Sequence, residues 1–128
     1  AKDAARQASV LADSAESAQE PYCITTIELG SDRGALQAAM KTITDRVPRK
    51  AVMLLSPDEG SGKVAVVATV PKDLQGRLKA GDWVRHTVGV MGGKGGGKPD
   101  SAQGAGSDLG KVREAVREAQ SFAGQKLL

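Results

Sequence analysis

The sequence has few of the residues from which metal sites and disulfide bonds are built. It contains one cysteine and one histidine among its 128 residues. A single cysteine cannot form an internal disulfide bond, and it suits a reducing compartment. No set of Cys and His residues with the spacing of a metal site is present. We therefore expect no metal and no cofactor in this chain, and a cytoplasmic location.

Aromatic side chains and long apolar runs are scarce as well. Tyr22, Trp83 and Phe122 are the only aromatic residues besides the histidine, too few for the base-stacking surfaces of single-strand binders. No run approaches the ~18 apolar residues of a membrane span. His86 follows Asp82 by one helical turn, but no Ser or Cys is placed for it to activate. We expect no catalytic residue and no membrane partner.

The charge is basic and unevenly distributed. The net charge is +3, with −2 in residues 1–20 and +5 in the remainder. Residues 72–98 alone carry +4, and Arg77 and Lys79 belong to this segment. Such a segment can face the phosphates of a nucleic acid, although an ordinary solvated surface accounts for scattered lysines equally well.

Residues 1–20 form an alanine-rich segment that predicts a helix. One predicted face carries Ala4, Ala8, Leu11, Ala15 and Ala18. Because this face buries little by itself, we interpret the segment as a helical lead-in, the end of a longer helix in the full protein. This helix arrives from elsewhere in the full protein or packs on a partner, and dimerisation through 1–20 and fraying of the chain end are the alternatives.

Residues 21–128 predict one α/β domain, with a mixed sheet of about four strands and flanking helices. Apolar and β-branched runs predict strands over 22–29, 51–55 and 63–70, with a short edge strand over 101–104. Helical spacing predicts a helix that starts after Ser31 or Asp32, a second from Asp82, and a last one after Ser107 or Asp108. The first strand, helix and second strand imply a parallel crossover.

A glycine-rich run lies between the last two predicted helices. Eight of the sixteen glycines fall within Val88–Gly106. We predict a loop whose main-chain N–H groups form a phosphate-binding concavity. Its predicted nucleic-acid-binding residues are Gly93, Lys94, Gly95, Gly96, Gly97 and Lys98, extended by Arg77 and Lys79. Asp100 and Gln103 are expected to bond to the loop backbone. A flexible linker and a glycine turn packed closely on the sheet are the alternatives.

Two familiar nucleotide motifs are absent from this run. Gly92–Lys98 matches the core of a P-loop, but Pro99 follows where Ser or Thr would hold Mg²⁺. A helix is also predicted before the run, where a P-loop needs a strand. No G-x-G-x-x-G fingerprint occurs. Nucleotide hydrolysis and dinucleotide binding are therefore not expected.

The segment Gly92–Gln103 (GGKGGGKPDSAQ) resembles the signature G-G-G-K/R-P-D-x-A-Q of the C-terminal domain of alanyl-tRNA synthetase. That domain is related to the DHH-associated domain of DHH-family phosphodiesterases. Ser101 replaces a methionine that is common in bacterial members. Lys98 stands where the phosphodiesterase branch typically has histidine, which favours the synthetase branch.

The resemblance covers about residues 21–128 and implies a domain that is not itself an enzyme. It implies contact with the outer corner of tRNA through backbone and phosphates, in support of aminoacylation and editing. The catalytic residues would lie elsewhere in the synthetase, whose remainder is then a partner. Two other readings stay open: a domain that has lost tRNA binding and contacts DNA or other proteins, and the substrate-binding half of a phosphodiesterase.

Overall fold

The sequence folds into alternating helices and strands around one sheet. The computed structural model describes residues 4–30 and 32–127. The helices are α1 (Ala4–Ser17), α2 (Arg33–Arg46), α3 (Ala80–Val90) and α4 (Val112–Leu127), and the strands are β1 (Tyr22–Thr26), β2 (Ala51–Asp58), β3 (Lys63–Thr69), β4 (Lys94–Gly97) and β5 (Ser101–Gly106). The predicted first residues of the N-terminal helix, and Ser31 as a cap, lie outside the described residues. Asp32 caps α2 through a hydrogen bond from the Ala35 N–H.

The five strands form one mixed sheet in the order β1-β2-β3-β5-β4. β1 and β2 run parallel and are joined through α2, while the other neighbouring pairs are antiparallel. The predicted α/β fold, with a mixed sheet, flanking helices and an N-terminal helix, is confirmed. The strand that the sequence did not predict is β4, which lies inside the glycine-rich run.

Helices α3 and α4 cover one face of the sheet. Trp83 of α3 is fully buried, and its indole N–H donates to the carbonyl oxygen of Ala119 in α4 at 3.0 Å. The buried face of α4 carries only small side chains over most of its length, at Ala115, Ala119 and Ala123. Small side chains let α4 approach α3 closely, and the large indole fills the space between them.

Helices α1 and α2 cover the other face. Ala8, Ala12 and Ala15 are buried, so the buried stripe of α1 is centred on Ala12, which the sequence analysis did not place on the packed face. Leu11 is only half-buried. Arg46 of α2 bonds to Asp13 at 2.5 Å and also to Glu16.

Several helices and strands begin or end at residues other than those predicted, because tertiary contacts set these boundaries. β1 ends at Thr26, and β2 extends to Asp58, where it still pairs with β3. α3 begins at Ala80, before the predicted Asp82. Its first N–H groups, on Ala80 and Gly81, donate to carbonyl oxygens of the segment that joins β4 to β5. Propensity cannot anticipate a helix start that a distant segment caps.

No helix within residues 4–30 and 32–127 is both long and apolar enough to cross a bilayer.

Candidate nucleic-acid interface

The glycine-rich run is a β-hairpin, so the prediction of a loop is wrong. Gly92 ends α3 in the left-handed region, with φ 66°. The Gly93 N–H donates to the Val88 carbonyl at 2.8 Å, and the Gly92 N–H donates to the Gly89 carbonyl at 3.3 Å. These two bonds form a Schellman motif, for which glycine is the usual residue. The chain then enters β4 directly.

The pairing of β4 with β5 uses part of the main chain that was expected to be free. The Lys98 N–H donates to the Ser101 carbonyl at 2.9 Å. Because hydrogen-bonded and non-bonded pairs alternate in an antiparallel ladder, the N–H of Gly96 points toward β5. The N–H groups of Gly95 and Gly97 point to the open edge of the sheet. Only these two of the four glycines predicted to donate to phosphate keep their N–H groups outside the fold's own hydrogen bonds.

Close packing of α3 on the hairpin explains why the run is so rich in glycine. A Cβ atom on Gly95 would lie 2.9 Å from the Val84 side chain, and one on Gly106 would lie 2.6 Å from Cβ of Met91. A Cβ atom on Gly93 would lie 1.9 Å from the Ala105 carbonyl oxygen. The main chains meet at distances that any side chain would prevent. This contact corresponds to the close-packing alternative that the sequence left open.

The N-terminus of α3 is occupied by the same hairpin. The Ala80 N–H donates to the Pro99 carbonyl at 3.0 Å, and the Gly81 N–H donates to the Lys98 carbonyl at 3.2 Å. A Cβ atom on Gly81 would lie 2.7 Å from the Gly97 carbonyl oxygen. These donors would otherwise favour an anion, but here they fix the hairpin against the helix.

The face of the hairpin that points away from α3 is open and basic. Lys94 and Lys98 are exposed, and neither forms a salt bridge within the described ranges. Arg33, at the start of α2, donates from Nη1 to Oε1 of Gln103 at 2.7 Å. Gln103 therefore bonds to a guanidinium, and not to the glycine backbone as expected.

Two shallow recesses flank Gln103 on this open face. One, of about 300 Å³, lies between α2 and the hairpin and is lined by residues including Gln37 and Lys98. The other, of about 540 Å³, is lined by Arg33 and Lys94 among others. We call the surface formed by Arg33, Lys94, Lys98 and Gln103 the hairpin face.

Arg77 and Lys79 lie on a different part of the surface. They line a recess of about 210 Å³ with Asp82, Phe122 and Lys126, and the Lys126 ammonium lies 5.5 Å from the centre of the Phe122 ring. The two recesses beside Gln103, which Lys98 and Lys94 line, contain neither Arg77 nor Lys79. The structure thus divides the predicted cations into the hairpin face and a second group, which we call the connector group (Arg77, Lys79 and Lys126).

Sequence reasoning missed Arg33 and Lys126. Arg33 lies 70 residues before Gln103, and only the strand order, with β5 between β3 and β4, brings them together. The one pattern in the sequence that could have pointed to Arg33 was the predicted parallel crossover, because it places α2 on one face of the sheet. Lys126 reaches Phe122 on its own helix, but its proximity to Arg77 depends on tertiary packing.

The remaining reactive side chains are engaged in packing. Nε2 of His86 lies 3.4 Å from Oε1 of Glu118, and its ring stacks on Phe122 with centroids 4.7 Å apart. Cys23 is half-buried, and desolvation by burial raises the pKa of its thiol, so the reactive thiolate is disfavoured. In the part of the chain that the structure describes, no group of three or more His, Cys, Asp or Glu could hold a metal ion.

Comparison with protein families gives a match over most of the chain. The family described as the DHHA1 domain matches residues 19–125. This range contains the whole sheet, helices α2 and α3, and α4 up to residue 125, and it starts after α1.

Curated relatives are named as alanine–tRNA ligases. The cytoplasmic enzyme of Drosophila melanogaster is 42% identical over 105 residues, which is 81% of this chain and 11% of the relative. The enzyme of Pseudomonas entomophila is 44% identical over 98 residues, which is 77% of this chain and 11% of the relative. The chain therefore spans about a tenth of the length of these relatives.

A solved structure shows the same fold. The C-Ala domain from Aquifex aeolicus alanyl-tRNA synthetase superposes with a TM-score of 0.69 at 24% sequence identity. The match covers 80% of this chain and 89% of that one.

Proposed function

This chain belongs to the DHHA1 domain family, and we propose from this that it is the non-catalytic tRNA-binding domain at the C-terminus of an alanine–tRNA ligase. The domain contacts the outer corner of the tRNA and so supports aminoacylation and editing by catalytic domains elsewhere in the full protein. The names of the relatives support this proposal, and the cytoplasmic enzyme among them supports a cytoplasmic location.

The observation that carries the proposal is the open, basic hairpin face. Lys94 begins a strand that is otherwise glycine, and Lys98 follows that strand directly. Because glycine has no side chain, a sugar–phosphate backbone can approach the outward N–H groups of Gly95 and Gly97 closely. Arg33 adds a guanidinium that is suited to phosphate. Double-stranded RNA is recognised mainly through such phosphate and shape contacts.

The connector group extends the contact along the tRNA. Arg77 and Lys79 precede α3, whose N-terminus is bonded to the hairpin turn at Lys98 and Pro99. The two basic regions are therefore held on one rigid unit, and they meet separate phosphates of the same tRNA.

The salt dependence of tRNA binding tests this assignment. Each phosphate contact that is lost should lower the slope of log affinity against log salt by about one unit. We expect Lys94→Ala/Lys98→Ala to weaken binding of an alanine tRNA transcript and to lower the slope by about two units. Lys63→Ala, which removes a lysine from the exposed end of the other hairpin, is the matched control and should leave the slope unchanged.

An unchanged slope in the double variant would remove the hairpin face from the interface. Gel shifts with tRNA, duplex DNA and single-stranded DNA complete the test. Binding to duplex DNA without binding to tRNA would favour the alternative function as a DNA-binding module. Binding to none of them at low salt would favour a domain that contacts only proteins.

A further inference from the structure

Arg33 is a cation at a position where a helix does not favour one. It is the first residue of α2, and the first turn of that helix contains no acidic residue. Because the N-terminal end of a helix carries a partial positive charge, a guanidinium there costs stability. The neighbouring Asp32 carboxylate accepts from the Ala35 N–H at 3.0 Å, and Arg33 forms no salt bridge within the described ranges. The fold therefore leaves the charge of this exposed arginine unpaired.

The partner that holds Arg33 is a neutral amide on a firmly paired strand. Nη1 of Arg33 donates to Oε1 of Gln103 at 2.7 Å. Gln103 belongs to β5, and its register partners are Val67 of β3 on one side and Gly96 of β4 on the other. An amide oxygen can hold a guanidinium in place without removing its charge, whereas a carboxylate at the same position would neutralise it. Gln103 therefore orients Arg33 and leaves it cationic.

The recess beside this pair is suited to one phosphate group. It measures about 540 Å³, and two cations line it together with a neutral amide and small residues: Arg33, Lys94, Gln103, Gly95, Gly104 and Ala105. None of these lining residues is acidic. The bond to Gln103 uses one of the five N–H groups of the guanidinium, and a phosphate needs only two of the others for a bidentate contact. The small residues let a phosphate come close to the main chain.

We infer that Gln103 is a positioning residue, which holds the charged Arg33 guanidinium ready for one tRNA phosphate in the recess between Arg33 and Lys94. This inference rests on the proposed tRNA-binding function. Without the bond to Gln103, the long arginine side chain would be ordered only when the tRNA binds, and that ordering lowers the affinity. With an acidic residue in place of Gln103, the phosphate would meet a neutralised pair.

Two substitutions at position 103 separate the orientation of Arg33 from its charge. Gln103→Met removes the acceptor and should weaken binding of an alanine tRNA transcript about threefold to tenfold, with an unchanged slope of log affinity against log salt. Gln103→Glu keeps an acceptor but neutralises Arg33, so it should weaken binding and lower the slope by about one unit. The matched controls are Gln120→Met and Gln120→Glu, at an exposed position of α4 beside the opposite edge strand β1. Both should bind like the wild type.

The mobility of Arg33 in the free protein tests the orienting bond without tRNA. The ¹⁵N relaxation of the Arg33 Nε–H group reports side-chain motion on the picosecond to nanosecond timescale. We expect restricted motion in the wild type and in Gln103→Glu, and greater motion in Gln103→Met, with unchanged amide chemical shifts outside the hairpin face as evidence of an intact fold. Equal motion of Arg33 in the wild type and Gln103→Met would overturn the inference.

The dependence on Arg33 is the result that a merely structural role of Gln103 would not produce. Arg33→Ala should lower the salt slope by about one unit, and Gln103→Met added to it should have no further effect on affinity. Equal weakening by Gln103→Met with and without Arg33, or wild-type affinity of Gln103→Met, would overturn the inference while leaving tRNA binding in place. An unchanged slope in Lys94→Ala/Lys98→Ala would instead overturn the proposed function, and this inference with it.

Discussion

The two hairpins of the sheet are held in place by opposite means. β2 and β3 carry large apolar side chains such as Leu54, Val64 and Val66, all fully buried, and they contribute to the cores on both faces. β4 and β5 contribute Ala102 to the core, and their glycines bring the main chain against α3 and its C-cap residue Met91. The β2–β3 hairpin is stabilised by its large apolar side chains, whereas the β4–β5 hairpin packs closely because its glycines have no side chains.

This difference shows that the two hairpins respond in opposite ways to the size of their side chains: larger side chains stabilise β2–β3 and destabilise β4–β5. Removing atoms from β2–β3 leaves a cavity and costs transfer and packing energy. Adding a side chain at Gly93, Gly97 or Gly104 forces two backbones apart, because the nearest obstacle there is a main-chain atom and not a flexible side chain. Smaller side chains in β2–β3 and larger side chains at the glycines of β4–β5 should therefore both lower the free energy of unfolding.

The largest effect is expected when a side chain is added at Gly93, which lies immediately before β4 and against β5. Gly93→Ala should lower the free energy of unfolding by more than about 3 kcal/mol, because the new Cβ would meet the Ala105 carbonyl. Urea denaturation measures this change. Gly89→Ala, in the same segment but with nothing within 4 Å of the added atom, is the control and should be neutral or stabilising by up to about 1 kcal/mol. Equal stability of Gly93→Ala and the wild type would contradict the close packing.

A smaller loss of stability is expected in the β2–β3 hairpin when atoms are removed instead of added. Val66→Ala removes two methyl groups from a fully buried site and should cost about 2 kcal/mol, since lost transfer energy and a cavity add together. The same denaturation experiment measures it. Val10→Ala, at an exposed position, should change stability by no more than about 0.5 kcal/mol. A cost at Val66 no larger than that at Val10 would show that β2–β3 does not depend on its side chains.

The contrast also explains what the sequence could predict. Patterns of apolar residues identified β2, β3 and helices α2, α3 and α4, because burial of apolar side chains follows the period of the element. β4 was missed because Lys94–Gly97 has no β-forming residue. Its strand conformation depends on β5 and α3, which lie nearby only after folding.

The candidate site was predicted in part for the same reason. Lys94 and Lys98 could be selected from their position within the glycine run, and Arg77 and Lys79 from local charge. The separation of these pairs into two surface regions depends on how the hairpin turn bonds to Ala80 and Gly81. Arg33 joins the hairpin face through the order of the strands, for which no local pattern exists.

Amide chemical shifts during titration with tRNA test the central claim most directly. We expect the amides of Lys94–Gly97 and Ser101–Ala105 to shift on addition of an alanine tRNA transcript, because the open hairpin face meets its phosphates. The turn between β2 and β3 serves as the internal reference and should stay unchanged. Tight binding with no shift in Lys94–Gly97 would contradict the account, since the tRNA would then contact another surface of the domain.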